Sequence, residues 1–288
     1  MPNFLTSTLA LLGILALTTA PVTAMEIGVS PPRLEIDMNS SQSSNQSIRV
    51  MNISSEPLEI QVYVNNWVLD ENNEVQVVEP TEQSLDRWIV FNPSRIIIPP
   101  GQSQVVRFSI RPRVQPEVGE KRAMIFLQEV PPENSTGSVQ GVGRFGVTVY
   151  AYFGEVERKG VINSIEVKPT SDSVTAVFDV SSAGTAHVRM KGQYAVWPAD
   201  RYPGASETQP IANLGSPDAK IPEMVLDAGP LPSTPVLPDT ERQILLNISK
   251  QLPPGNYVLD MNGELSGVPL DRGIPFTVPG GTVSASPQ

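Results

Sequence analysis

Apolar and polar residues alternate along most of the chain in short runs. Leu58, Ile60, Val62 and Val64 alternate with Glu59, Gln61, Tyr63 and Asn65; Val106, Phe108 and Ile110 alternate with Arg107, Ser109 and Arg111. Phe145, Val147, Val149 and Ala151 alternate with Gly146, Thr148, Tyr150 and Tyr152. A period of two puts every second side chain on one face, the pattern of a strand that buries one side. Pro, Gly, Asn or Ser closes each run. Short strands at this spacing, with turn signals between them, build antiparallel sandwiches rather than alternating strand–helix units. No stretch keeps a helical period for more than about two turns. The expected class is all-β.

A chain of 288 residues has room for about two domains. Residues 1–24 carry no charged side chain and hold the apolar run Leu9 to Leu17, which reads as an export signal cut after Val22-Thr23-Ala24. That run is shorter than the roughly 18 apolar residues needed to span a bilayer, and no later stretch is long enough. The alternation lapses at Phe153-Gly154-Glu155 and resumes at Ile162, with Glu157, Arg158 and Lys159 between. A first domain is therefore expected over 25–154, a linker over 155–160 and a second domain over 161–278. In the second, strands are expected at Val174–Val180, Ala186–Val196, Gln243–Ile248, Asn256–Met261 and Ile274–Val278. Nine prolines lie between Trp197 and Asp239, marking a long, irregular connection. The Gly- and Ser-rich tail, 279–288, is expected to be disordered.

Charge and composition narrow the chemistry. Twenty Lys and Arg against 30 Asp and Glu give a net charge of −10, which repels phosphate backbones and anionic membranes, so neither a nucleic-acid partner nor membrane insertion of the mature chain is expected. With no Cys and one His, the chain has no thiol nucleophile, no thiolate zinc site and no His-rich metal cage. Gly141-Val142-Gly143-Arg144-Phe145-Gly146 matches a dinucleotide fingerprint in letters, but a strand pattern follows it instead of the helix that the motif requires. Asp70-Glu71-Asn72-Asn73-Glu74 lacks the Gly and the distal Glu of a calcium loop and reads as a hairpin turn. His187 shares a strand face with Arg189 and Lys191 and is expected to be exposed. No acidic pair stands out as a glycosidase site. The expectation is a protein that is not an enzyme and needs no metal or cofactor.

From Met25 to Gly154 the basic residues are nine Arg and one Lys, Lys121. Arg is the better fork for carboxylates. Several segments, in order, are similar to the first domain of the PapD-type periplasmic pilus-assembly chaperones. They are Val29-Ser30-Pro31-Pro32-Arg33-Leu34-Glu35-Ile36, Val50-Met51-Asn52-Ile53-Ser54, Ile89 to Arg107, Lys121 to Phe126 with Glu129-Val130-Pro131-Pro132, and Val147-Thr148-Val149-Tyr150. The second part resembles the family more loosely, through Leu252-Pro253-Pro254-Gly255-Asn256-Tyr257.

The resemblance implies two immunoglobulin-like antiparallel β-sandwich domains in tandem, located in the periplasm. It implies a chaperone that caps a pilin-like or surface-fibre subunit, donates a β-strand to it and delivers it to an outer-membrane usher. The subunit's C-terminal carboxylate is anchored in the family by a basic pair. One of these falls on Arg33; the other falls on uncharged Thr148, and Arg144, four residues earlier on the same face, is the expected substitute. Without gaps, the family's donor positions fall on Val139, Gly141 and Gly143, only one of them bulky and apolar. A shifted register offers Val142, Phe145, Val147 and Val149. The other reading kept open is a non-catalytic extracytoplasmic binding or structural module with this fold and no strand donation.

Overall fold

A computed structural model describes residues 26–40, 45–131 and 142–280 of the protein. The export segment, Val139, Gly141 and all but two residues of the tail lie outside the described residues. Among the described residues, no helix is long and apolar enough to cross a membrane.

The first domain holds β1 (Ile27–Ser30), β2 (Arg33–Asp37), β3 (Asn45–Asn52), β4 (Leu58–Leu69), β5 (Val75–Val78), β6 (Ile89–Asn92), β7 (Arg95–Ile98), β8 (Ser103–Ile110), β9 (Gly119–Glu129) and β10 (Arg144–Phe153). One sheet runs β1-β3-β8-β6; the other runs β2-β10-β9-β4-β5, with β7 beside β4. Their inner faces meet in a core built from the alternate positions that the sequence marks. Ile48 and Val50 of β3, Val106, Phe108 and Ile110 of β8, and Ile125, Val147 and Val149 of β9 and β10 are all buried there. The segment Val29–Ile36 falls in two strands, β1 and β2. Pro31-Pro32 offers no backbone N–H to a ladder, and the chain passes from one sheet to the other at that point.

The second domain holds β11 (Gly160–Pro169), β12 (Val174–Ser182), β13 (Met190–Pro198), β14 (Asp227–Pro230), β15 (Thr240–Ile248), β16 (Gly255–Leu265), β17 (Val268–Pro269) and β18 (Arg272–Val278). A sheet β11-β12-β15 faces a sheet β14-β13-β16-β17, with β18 on β16. Phe178, Val188, Met190, Val196, Ile244, Leu259 and Phe276 lie in its core. The protein is thus all-β, two immunoglobulin-like sandwiches in tandem. Among the described residues its ladders are antiparallel except one, between β2 and β10.

Residues of both domains form a third apolar cluster at the junction. Trp67, Leu69, Met124, Phe126, Tyr150 and Tyr152 from the first meet Ala186 and Leu237 from the second. The Asp70–Glu74 segment is a hairpin turn, as expected: Asp70 Oδ1 accepts from the amides of Asn72 and Glu74, each at 2.9 Å. It also reaches the second domain, because Arg242 donates to the Leu69 and Asp70 carbonyls at 2.6 Å each.

Candidate functional site

β10 pairs with β9 along its whole length, from Arg144 to Phe153. On its other side it is covered only in part. The parallel ladder with β2 begins at Arg33 opposite Thr148 and ends at Asp37 opposite Tyr152. Because Pro31-Pro32 turns the chain away, β2 extends no further along β10. Among the described residues, no strand pairs with the β2 side of Arg144–Val147. A row of unpaired backbone N–H and C=O groups is a template for an added strand. Phe145 packs half-buried at the end of the core. Val142, just ahead of the strand, is 46% exposed.

The residues at the end of this open edge carry charge. Tyr150 and Tyr152 turn toward the second domain, whereas Val147, Val149 and Ala151 turn into the first domain's own core. Thr148 shares the face of Tyr150, and in a parallel ladder Arg33 and Glu35 lie beside Thr148 and Tyr150. Arg33 Nε lies 3.2 Å from Glu35 Oε1, and Arg158 Nη2 lies 3.8 Å from Glu35 Oε2. The Tyr152 hydroxyl donates to Glu35 Oε2 at 3.0 Å, and the Arg158 guanidinium lies over the Tyr152 ring at 4.6 Å. Partial burial pushes the Glu35 carboxyl up, but the Tyr152 hydrogen bond and the positive charges of Arg33 and Arg158 outweigh it and hold the group below its ordinary value. Arg33 keeps 45% of its side chain exposed, so its guanidinium is accessible from solvent.

Beneath this corner lies a buried polar chain that joins the domains. Glu120 of β9 has a fully buried side chain. Its Oε2 accepts from the His187 amide at 2.9 Å and lies 2.6 Å from His187 Nδ1. Arg189 Nε donates to His187 Nε2 at 3.0 Å, and Arg189 Nη2 donates to the Tyr150 hydroxyl at 2.9 Å. Since Nε2 accepts, the proton sits on Nδ1 and faces the Glu120 carboxylate. Arg122 Nη1 lies 3.7 Å from Glu120 Oε1 and balances the buried carboxylate. His187 also stacks at 4.2 Å against the Tyr150 ring. Burial pushes the Tyr150 hydroxyl up to about 12. His187 is only 2% exposed and lies ahead of β13 rather than on a strand, which corrects the exposed position on a strand expected for it: Glu120 and Tyr150 of the first domain pack against its ring.

Residues 28–146 match the sequence profile described as pili and flagellar-assembly chaperone, PapD N-terminal domain. The first domain is similar to the N-terminal domain of PapD-type chaperones. Among solved structures, the chain is similar to the class 5 fimbriae chaperone CfaA, with 14% identity, 88% of this chain and 98% of that chain covered, and a TM-score of 0.42. It is also similar to a CsuC–CsuE chaperone–tip adhesion subunit pre-assembly complex from archaic chaperone-usher Csu pili of Acinetobacter baumannii, with 13% identity, 88% and 97% covered, and a TM-score of 0.42. The Pseudomonas aeruginosa CupB2 chaperone matches with 12% identity, 86% and 97% covered, and a TM-score of 0.39. No curated protein matches the chain.

The expected site residues lie as follows. Arg33 stands at the mouth of the domain junction, beside Thr148. Arg144 is four residues up the strand from Thr148, about 13 Å at the usual rise of a strand, and its guanidinium lies over the Phe126 ring at 4.9 Å. The structure does not bring Arg33 and Arg144 together. Val142 lies just ahead of the open edge and Phe145 on it, half-buried against the core, whereas Val147 and Val149 are fully buried in the first domain's own core. Among the described residues, no three His, Asp or Glu side chains are placed to hold a metal. Sequence reasoning missed Glu120 and Arg189. Their partners lie 67 and 39 residues away, and no local spacing reveals such pairs.

Proposed function

We propose that the protein is a periplasmic chaperone that caps a pilus or surface-fibre subunit by lending it the open edge of β10. The observation that carries this reading is that, in a domain similar to the PapD N-terminal domain, the β2 side of β10 has no strand partner among the described residues over Arg144–Val147, and the first rung beyond it sets Arg33 beside Thr148. A subunit strand added there gains main-chain hydrogen bonds, and exposed Val142 is the apolar side chain placed to cover its groove, with half-buried Phe145 beside it. Val147 and Val149 stay in the first domain's core. Arg33 receives the subunit's C-terminal carboxylate, giving up Glu35 for a charge-assisted pair. Arg144 borders the donated edge but is too far from Arg33 to share that carboxylate. Apolar burial and strand pairing drive capture without a cofactor, and the capped subunit is handed to an outer-membrane usher.

Co-purification of the chain with a co-expressed fibre subunit tests this. Arg33→Ala removes a charge-assisted contact, so recovery of the subunit is expected to correspond to an affinity about 30-fold lower. Equal recovery with both chains contradicts the anchor.

A further inference from the structure

The proline-rich connection between β13 and β14 folds back over the outer face of the second domain's larger sheet and encloses a cavity of about 340 Å³ there. That volume is at the small end of the roughly 300–1,000 Å³ usual for small-molecule sites. The floor is set by the ladder between β13 and β16. Tyr194 and Val196 turn into the domain core, so Gln193, Ala195 and Trp197 turn outward. Gln193 faces Asn262 across the ladder and Ala195 faces Asp260. Small Ala195, between Gln193 and Trp197, leaves the middle of the floor open. Pro203, Pro210, Ile211 and Pro222 of the connection supply apolar walls. Hydrogen bonds tie this roof to the sheet. The Tyr202 hydroxyl donates to Asp260 Oδ1 at 2.8 Å, Asn262 Nδ2 to Thr208 Oγ1 at 3.2 Å, and the Leu226 amide to the Val196 carbonyl at 2.8 Å. A cavity held in this way needs little ordering on binding.

The polar groups of this cavity are incompletely used. Trp197 Nε1 and Gln193 Oε1 are buried and have no hydrogen-bond partner within the protein. Buried polar atoms are bonded as a rule, so a donor and an acceptor left over in one cavity favour a ligand that supplies both partners. Asp260 is buried beside them, and the charge that acts on it, Asp271, is of like sign. A carboxylate that accepts from Tyr202 still has lone pairs for further donors. A hydroxyl gives and takes a hydrogen bond at once, and the C–H face of a sugar ring packs against indole and proline walls. Glu207 and Lys220 in the lining are opposite in sign, which suits a neutral ligand. We propose that the cavity binds a neutral sugar ring, with Trp197 Nε1 donating to one hydroxyl and Gln193 Oε1 and Asp260 accepting from others. A second depression, of about 880 Å³, shares Thr208, Gln209, Pro210 and Asn262 with the cavity, so a saccharide chain can run on from the bound ring. The site is built from second-domain residues alone and does not rest on the capping role.

The test titrates the full mature chain with glucose, galactose and N-acetylglucosamine, and with cyclohexanol as a ring bearing a single hydroxyl. Calorimetry is expected to show at least one of the sugars binding at millimolar concentration. Cyclohexanol is expected to bind at least about tenfold more weakly, because it leaves the cavity's polar groups unpaired. Trp197→Phe keeps a ring and removes the N–H, and Gln193→Leu removes the acceptor at similar size. Each is expected to weaken the sugar about threefold to tenfold. Neither should lower the midpoint of thermal unfolding, since neither polar atom is bonded within the free protein. If Trp197→Phe does lower it, Gln193→Leu decides. A folded wild type that binds none of the sugars overturns the proposal. Cyclohexanol binding as tightly as the sugars makes the cavity a general apolar pocket and also overturns it. Sugar binding that Gln193→Leu leaves unchanged puts the sugar elsewhere on the chain and overturns this site.

Discussion

Arg33 and Thr148 face each other at the first rung of the parallel ladder between β2 and β10. That rung divides β10 in two. Beyond it, toward Tyr152, the strand is shared with β2; before it, toward Arg144, the edge is open. The cause is local: Pro31-Pro32 directly precedes Arg33 and cannot donate to a ladder.

Substitutions on the two sides of that rung should separate binding from folding. Val142 is exposed ahead of the open edge. Val142→Asp is expected to change stability by no more than about 0.5 kcal/mol, yet to reduce recovery of a co-expressed fibre subunit strongly. Thermal unfolding and co-purification of the same preparation check both halves.

Val147 should behave in the opposite way. It is fully buried in the first domain's core, so Val147→Ala removes two buried methyl groups and leaves a small cavity, at a cost of about 2 kcal/mol. The midpoint of thermal unfolding is expected to fall by roughly 4–8 °C.

Glu120 and His187 hold the domains together through a buried contact of 2.6 Å. Glu120→Ala strips the His187 amide and ring of their acceptor and leaves Arg122 without its counter-charge. Breaking such a pair costs on the order of 3 kcal/mol. Scanning calorimetry is expected to show a midpoint roughly 6–12 °C lower.

Glu35 gives a pH dependence whose sign is fixed. Its carboxyl is held below its ordinary value in the folded chain, so ionised Glu35 stabilises the fold at neutral pH. That contribution is lost as the pH falls below the unfolded carboxylate value and through the lower folded one. Since the group is partly exposed, solvent screening keeps the effect small, about 1–2 °C in unfolding midpoint. Glu35→Gln is expected to lie below the wild type at pH 7 and to coincide with it at the acid end. Midpoints measured from pH 3 to pH 7 check this.

The strands were legible because each sandwich buries one face of each sheet. The alternation of Val106, Phe108 and Ile110 with polar neighbours maps directly onto the buried positions of β8. The break between β1 and β2 was signalled by Pro31-Pro32, but alternation resumes across it and hides the change of sheet. His187 was misplaced for a related reason. Alternation runs on through residues ahead of β13 that form no strand, and it does not tell that Glu120 and Tyr150 of the first domain pack against His187. Arg33 is singled out only by the family resemblance; its place opposite Thr148 comes from the β2–β10 ladder. The network of Glu120, His187, Arg189 and Tyr150 was not, because it is made by tertiary approach between residues with no common local pattern.

The central claim is that the open edge of β10 is where a subunit strand pairs. Amide hydrogen exchange of the chain, alone and in complex with a co-expressed fibre subunit, tests it most directly. Alone, amides within Arg144–Val147 that point away from β9 should exchange quickly, while those of Val149–Tyr152 are protected. In the complex, the account predicts new protection across Arg144–Val147 that stops at Thr148. Unchanged exchange over Arg144–Val147 in a complex that protects other surfaces would contradict it.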